Sequence, residues 1–135
     1  MLLCALLAFS LPPAACSPSY TVDQNRDGFP DQWYEAHDGR ILSLEQDRDY
    51  DGRIDCRVVY DREGRRLREE LDFNLDGRMD DFYYFEKGEL IRQEIDSNFD
   101  DRIDIWVYLV GPYIRRYEMD KDFDGRVDLV KDYGS

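Results

Sequence analysis

Histidine and cysteine are almost absent from this chain. The one histidine, His37, lies in a polar, glycine-containing segment that reads as an exposed turn, so no histidine-based nucleophile–base pair can be assembled. Three cysteines, Cys4, Cys16 and Cys56, give no disulfide framework. Basic residues are also short: 18 Lys and Arg stand against 31 Asp and Glu, a net charge of −13. That balance argues against nucleic-acid binding, which needs a basic surface. No glycine-rich phosphate loop occurs, and the longest apolar run, Leu2 to Leu11, is too short to span a bilayer. Little is left for catalysis, and the expectation is a non-catalytic protein. Because 42% of residues are hydrophobic and 14% aromatic, the chain is still not read as a disordered acidic tail.

What the sequence does have is acid at a fixed period. The pattern Asp-x-Asp/Asn-x-Asp-Gly-x-x-Asp starts at Asp23, Asp47, Asp72, Asp96 and Asp120, 24 or 25 residues apart. A period of this length marks a repeat architecture. The predicted ligands are Asp23, Asn25, Asp27 and Asp31 in loop one, and Asp47, Asp49, Asp51 and Asp55 in loop two. Loop three offers Asp72, Asn74, Asp76 and Asp80. Loop four offers Asp96, Asn98, Asp100 and Asp104, and loop five Asp120, Asp122, Asp124 and Asp128. Calcium is a hard cation that takes six to eight oxygens, and carboxylates at alternate positions of a tight loop all point inward. The sixth position turns the chain and favours glycine, present as Gly28, Gly52, Gly77 and Gly125 but replaced by Asp101 in loop four. Up to five calcium ions are therefore expected, with loop four the weaker binder. Paired carboxylates also serve glycosidases, but recurrence of one spacing in every repeat favours metal ligation.

These nine-residue loops resemble the calcium loops of EF-hands, and more closely those of dockerins, thrombospondin type 3 repeats and integrin-type FG-GAP loops. The resemblance implies calcium ligation. It does not extend to the rest of the unit. The twelfth position of an EF-hand loop is Glu, whereas here it is Tyr34, Val58, Tyr83, Val107 or Lys131. Glu45, Glu70, Glu94 and Glu118, two residues before loops two to five, are candidate extra ligands if the chain there is extended, and otherwise are solvated strand residues. Thr21 takes this place before loop one.

The loops are followed by aromatic and β-branched runs such as Phe82-Tyr83-Tyr84-Phe85 and Ile105-Trp106-Val107-Tyr108, which predict strands. Glycine-containing turns around Gly39, Gly64, Gly88 and Gly111 then predict hairpins. Tyr60 to Leu67 resembles, over one repeat, the Tyr-Asp repeats of bacterial surface and toxin-shell proteins. The expected fold is all-β: an antiparallel hairpin meander of about nine strands with calcium loops along one edge. Apolar residues on both faces of strands such as Val58 to Tyr60 suggest a sheet that curls into a barrel, sandwich or superhelical repeat. The last repeat holds one strand, which either caps the sheet or marks a fragment.

Residues 1–15 read as a signal peptide, 16–22 as a short linker and 23–135 as the five-repeat domain. Pro13-Ala14-Ala15-Cys16 resembles a bacterial lipobox, which implies lipidation at Cys16, an outer-membrane type of destination, and contact with membrane only through that anchor. Ordinary secretion is the alternative. Cys56 occupies a position held by Gln32, Asp81, Ile105 and Leu129 in other repeats and reads as a filler. Two roles remain open: a calcium-stiffened structural or adhesive surface module, or a carbohydrate- or polymer-binding module in which Trp33, Phe82 and Trp106 form an aromatic ladder. Envelope polysaccharide or another surface protein is the expected partner besides calcium. Arg53, Arg78, Arg102 and Arg126, at the seventh loop position, form a second ladder, either for anionic polysaccharide or as counter-charges to the loops.

Overall fold

The structure, a computed structural model, describes residues 20–134. The leader at 1–15 and Cys16 lie outside the described residues. Ten strands follow one another: β1 (Tyr20–Val22), β2 (Gln32–His37), β3 (Arg40–Gln46), β4 (Cys56–Tyr60), β5 (Arg66–Leu71), β6 (Asp81–Glu86), β7 (Glu89–Ile95), β8 (Ile105–Val110), β9 (Tyr113–Met119) and β10 (Leu129–Asp132). They form one antiparallel sheet in sequence order. The all-β meander is as expected. The strand count is ten, because Tyr20-Thr21-Val22, in the stretch read as linker, pairs with Val22 opposite Gln32 and Tyr20 opposite Tyr34. The sheet is open: β1 pairs only with β2 and β10 only with β9, so neither the barrel nor the two-layer sandwich is formed.

Connections alternate between the two ends of the strands. The five acidic loops join β1–β2, β3–β4, β5–β6, β7–β8 and β9–β10, and therefore line one end of the sheet. Tight turns close the other end. Asp38 and Lys87 have φ of 50° and 51°, and the glycines after them are also left-handed, as a two-residue hairpin turn with two positive φ values requires. Each hairpin also contains one bulge, at Glu35/Ala36, Val59/Tyr60, Tyr84/Phe85 and Tyr108/Leu109. Bulges recurring at one repeat position strengthen the right-handed twist at regular intervals.

A single layer cannot bury both faces, and the burial pattern shows the consequence. Only Cys56 and Val58 are buried hydrophobic side chains among the described residues, each 4% exposed. Val59, next in sequence and on the opposite face, is exposed. Most strand side chains are half-covered by cross-strand neighbours alone. The deepest side chains are loop aspartates, with Asp72 at 0% and Asp55 at 2%. They are covered because neighbouring loops stack. The Asp47 N–H donates to the Asp31 carbonyl at 2.9 Å, and Asp72, Asp96 and Asp120 donate to Asp55, Asp80 and Asp104 at 2.8 Å. This structure thus places its acid where other sheets place hydrophobic side chains.

Candidate metal centres

Each loop is wound around two carboxylates. In loop one the first, Asp23, accepts the N–H groups of Arg26 at 2.6 Å, Asp27 at 3.2 Å and Gly28 at 2.9 Å. The last, Asp31, accepts from Gln24 at 2.6 Å and Asn25 at 3.1 Å. Loop two repeats this: Asp47 takes Tyr50, Asp51 and Gly52, while Asp55 takes Arg48 and Asp49. The third residue accepts from the fifth, as in Asp76 N–H to Asn74 Oδ1 at 3.0 Å, and the fifth accepts from the seventh, as in Arg78 N–H to Asp76 Oδ1 at 3.0 Å. The loop backbone is therefore ordered by the same carboxylates that are predicted to ligate.

The winding requires two left-handed residues per loop, and the sequence signalled only one. At position six, Gly28, Gly52, Gly77 and Gly125 have φ between 89° and 98°, and Asp101 follows at 70°. At position four, Arg26, Tyr50, Leu75, Phe99 and Phe123 have φ of 61° to 66°. No glycine or asparagine marks position four. In loops one and two the Arg26 and Tyr50 N–H groups donate to the first carboxylate, Asp23 and Asp47, at 2.6 and 2.7 Å, which helps to hold the conformation there.

In two of the five loops, three of the four predicted ligands come together. Carboxylate oxygens of Asp47, Asp49 and Asp55 in loop two, and of Asp120, Asp122 and Asp124 in loop five, lie within 4.8 Å of one another. These are the two loops with Asp at position three. In the other loops Asn25, Asn74 and Asn98 stand there, and each donates its amide to the fifth-position aspartate, Asp27, Asp76 or Asp100, at 3.0 to 3.2 Å. In loop five the buried Oδ1 of Asp120 has no hydrogen-bond partner. Crowding shows in the acidities. Burial, then the charges of Asp51 and Asp55 against a hydrogen bond from Asp51, push the Asp49 carboxyl up. The charges of Asp124 and Asp128, then burial, push Asp122 up. Burial raises Asp80 despite hydrogen bonds from Phe73 and Asn74. An all-oxygen set with an orphaned buried carboxylate oxygen fits a hard divalent cation.

The four candidate glutamates go elsewhere. Cross-strand register puts Thr21, Trp33, Glu45, Arg57, Glu70, Phe82, Glu94, Trp106, Glu118 and Val130 in one row on one face. There Glu45 pairs with Arg57 at 3.0 Å, Glu70 with Arg68 at 2.9 Å, Glu94 with Arg92 at 3.5 Å, and Glu118 with Arg116. The cue in the sequence was Arg-x-Glu at one repeat position: Arg68/Glu70, Arg92/Glu94 and Arg116/Glu118. The ladder aromatics Trp33, Phe82 and Trp106 share this row and are half-buried. In the middle of the face, Arg57, Arg68, Phe82, Tyr84 and Glu94 line a groove of about 570 Å³. Its rings are already covered: the Arg68 guanidinium lies 5.7 Å from the Phe82 centroid and 5.3 Å from that of Tyr84, and Arg92 is 4.1 Å from Tyr84.

Two of the seventh-position arginines tie loop to loop. Arg53 donates to the Asp76 carbonyl at 2.8 Å, and Arg78 pairs with the Asp101 carboxylate. Cys56 is a free, buried cysteine, and burial together with Glu69 pushes its thiol up, as suits a filler.

No protein-family model matches the chain, and no curated protein does. Among solved structures it is similar to a chain of accessory secretory protein 1, 2 and 3 from Streptococcus pneumoniae, with 13% identity and a TM-score of 0.47. That match covers 76% of this chain and 21% of the other, so this chain spans about a fifth of its length. A likeness at that level carries no functional argument.

Proposed function

We propose that this chain is a calcium-binding, non-catalytic repeat module with a structural or adhesive role at the cell envelope, its sheet stabilised by calcium. The supporting observation is in loop five: the Asp120 carboxylate is 3% exposed, one of its oxygens has no partner, and it converges with Asp122 and Asp124. An unneutralised carboxylate in such a place is costly unless a cation joins it. The first, third, fifth and ninth residues of each loop would hold the ion. The ion would supply positive charge, and the residues already order the loop around it. Loops two and five, with four aspartates each, are the tightest sites, since affinity rises with ligand charge. Secretion, with lipidation at Cys16, is part of this reading and rests on the leader sequence alone. The second reading, a polymer-binding module, has the groove beside Phe82 in its favour. It requires Arg68 and Arg92 to leave the rings they cover before a sugar can stack.

Thermal melts in calcium and in chelator test the first reading. Asp76 is exposed; its Oδ1 accepts the Arg78 N–H at 3.0 Å, its Oδ2 accepts the Asn74 amide at 3.1 Å, and the Arg78 guanidinium lies 3.7 Å away. Asp76→Ala is expected to lower the melting temperature in calcium and change it little in chelator. Equal losses in both conditions would assign Asp76 to the metal-free fold and count against ligation.

A further inference from the structure

At the end of the sheet away from the loops, two arginines without a carboxylate partner line one cavity. The turn ends of the first two hairpins lie side by side because β3 pairs with β4. Between them Arg40, Ile41, Tyr60, Arg62 and Glu63 line an open depression of about 430 Å³. Arg40 and Arg62 are exposed, and neither forms an ion pair among the described residues. The acids nearby are already engaged. Arg65 takes both Asp61 at 2.7 Å and Glu63 at 3.1 Å, Arg66 takes Glu69 at 2.8 Å, and Asp38 lies 3.4 Å from His37. The later turns do not repeat the pair of arginines: they offer Glu86, Lys87 and Glu89, then Val110 and Tyr113. The net charge of −13 works against an anion, but the acid is concentrated elsewhere. The five loops hold 18 aspartates against seven Arg and Lys. β3 and β4, seven and five residues long, keep the cavity roughly 17–24 Å from those loops. That is two to three screening lengths of about 8 Å at physiological salt, so an anion at the turns feels the two arginines more than the loops.

We propose that this cavity binds the acidic sugar units of a polysaccharide, with the Arg40 and Arg62 guanidinia on the carboxylate or sulfate and Ile41 and Tyr60 against the sugar ring. Guanidinium forks match the geometry of an oxyanion and form the stronger, charge-assisted hydrogen bonds. Tyr60 is half-buried and Ile41 is 38% exposed, so apolar surface is available beside the charges for a ring to cover. Glu63 decides between a sugar chain and an acidic peptide. It can accept a hydrogen bond from a sugar hydroxyl, whereas it repels the neighbouring carboxylates of an acidic peptide. The loop arginines are less suited to this role, since Arg53 and Arg78 are tied to neighbouring loops. The cavity is also a different place from the groove beside Phe82, and its use does not require Arg68 or Arg92 to move. It does not depend on metal in the loops.

The test is calorimetric titration of the chain, in calcium, with hyaluronan, whose sugars are alternately carboxylated and neutral. Binding is expected, it is expected to weaken as sodium chloride is raised, and neutral dextran is expected to be inert. Arg40→Gln and Arg62→Gln are each expected to lower the affinity about tenfold, and the double variant to abolish binding. Their melting temperatures and calcium uptake are expected to match the parent's, because both side chains are exposed and far from the loops. Lys87→Gln removes an exposed charge from the third turn, outside the cavity, and is expected to leave the affinity unchanged. Failure of hyaluronan to bind overturns the proposal, as does a double variant that binds like the parent. An equal loss in Lys87→Gln also overturns it, since that would mean diffuse attraction and no site. Tighter binding of polyglutamate than of hyaluronan would assign the cavity to an acidic peptide and overturn the sugar assignment. A parent that binds hyaluronan but takes up no calcium would count against the loops and for this cavity, so the two failures are distinguishable.

Discussion

Asp101 does in loop four what a glycine does in the other four, and adds a contact no glycine has. Its φ of 70° is left-handed, and its carboxylate pairs with Arg78 of loop three. Aspartate tolerates this conformation better than most residues, whereas alanine pays roughly 1–2 kcal/mol. Asp101→Ala is therefore expected to destabilise the chain by about 1 kcal/mol or slightly more. Asp101→Gly removes the strain and loses an exposed ion pair worth about 0–1 kcal/mol, so its stability without metal is expected to stay near the parent's. Its loop-four calcium affinity is expected to rise, as read by titration of the two proteins side by side. Weaker binding in Asp101→Gly would mean that the Arg78 pair, and not the turn, sets that site. At this scale the ligand positions were legible because carboxylates at fixed spacing carry their chemistry openly. The left-handed fourth position was not, since Arg26, Tyr50, Leu75, Phe99 and Phe123 are residues that rarely adopt it. At Arg26 and Tyr50 it goes with a hydrogen bond to the carboxylate three residues before, which no residue type at position four signals. The ion pairs of Glu70, Glu94 and Glu118 follow from an arginine two residues before each one, which an extended strand puts on the same face.

Hairpins are the working element of this sheet, and their turns carry much of its register. Gly39 has φ of 73° after Asp38 at 50°, and a methyl group built there meets nothing within 4 Å. The cost of Gly39→Ala is thus conformational, about 1–2 kcal/mol, with no clash to confuse it. Denaturant melts are expected to show that loss with an unchanged dependence on denaturant. A loss well below 1 kcal/mol would mean that the β2–β3 register is held by the loops and not by the turn. Strands and turns were readable from aromatic and β-branched runs broken by Asp-Gly, Lys-Gly and Gly-Pro. The four bulges were not, because a bulge depends on where two strands differ by one residue and neither strand shows that alone. The tenth strand escaped because three residues before the first loop are too few to make a pattern without their partner β2.

Over the whole molecule, acid replaces hydrophobic cores as the buried material, and stability should follow the state of that acid. Without metal, Asp49, Asp80 and Asp122 hold their protons to a higher pH than the ordinary carboxylate value of 3.8. The folded chain then binds more protons than the unfolded chain at pH values just above 3.8, so stability rises as pH falls through the raised values. In chelator, mild acidification is expected to raise the melting temperature. In calcium it is expected to lower it, because protons displace the ion. The same direction in both conditions would contradict a shared site for proton and metal. Of the forms that apolar residues on both strand faces suggested, the barrel and the sandwich are not formed and the sheet stays open. The structure leaves those residues half-covered and seals the loop aspartates in their place. A ligand bound only by the folded state adds RT ln(1 + [L]/Kd), about 1.4 kcal/mol per site at tenfold excess. Five such sites would add about 7 kcal/mol, comparable with the total stability of an ordinary domain.

The measurement that bears most directly on this account is calorimetric titration of the chain with calcium. Sites near five in number are expected, with dissociation constants of about 10⁻⁴–10⁻³ M, as suits loops without a twelfth-position carboxylate, and with magnesium a poor competitor. Absence of calcium uptake at millimolar concentrations would contradict the account at its centre.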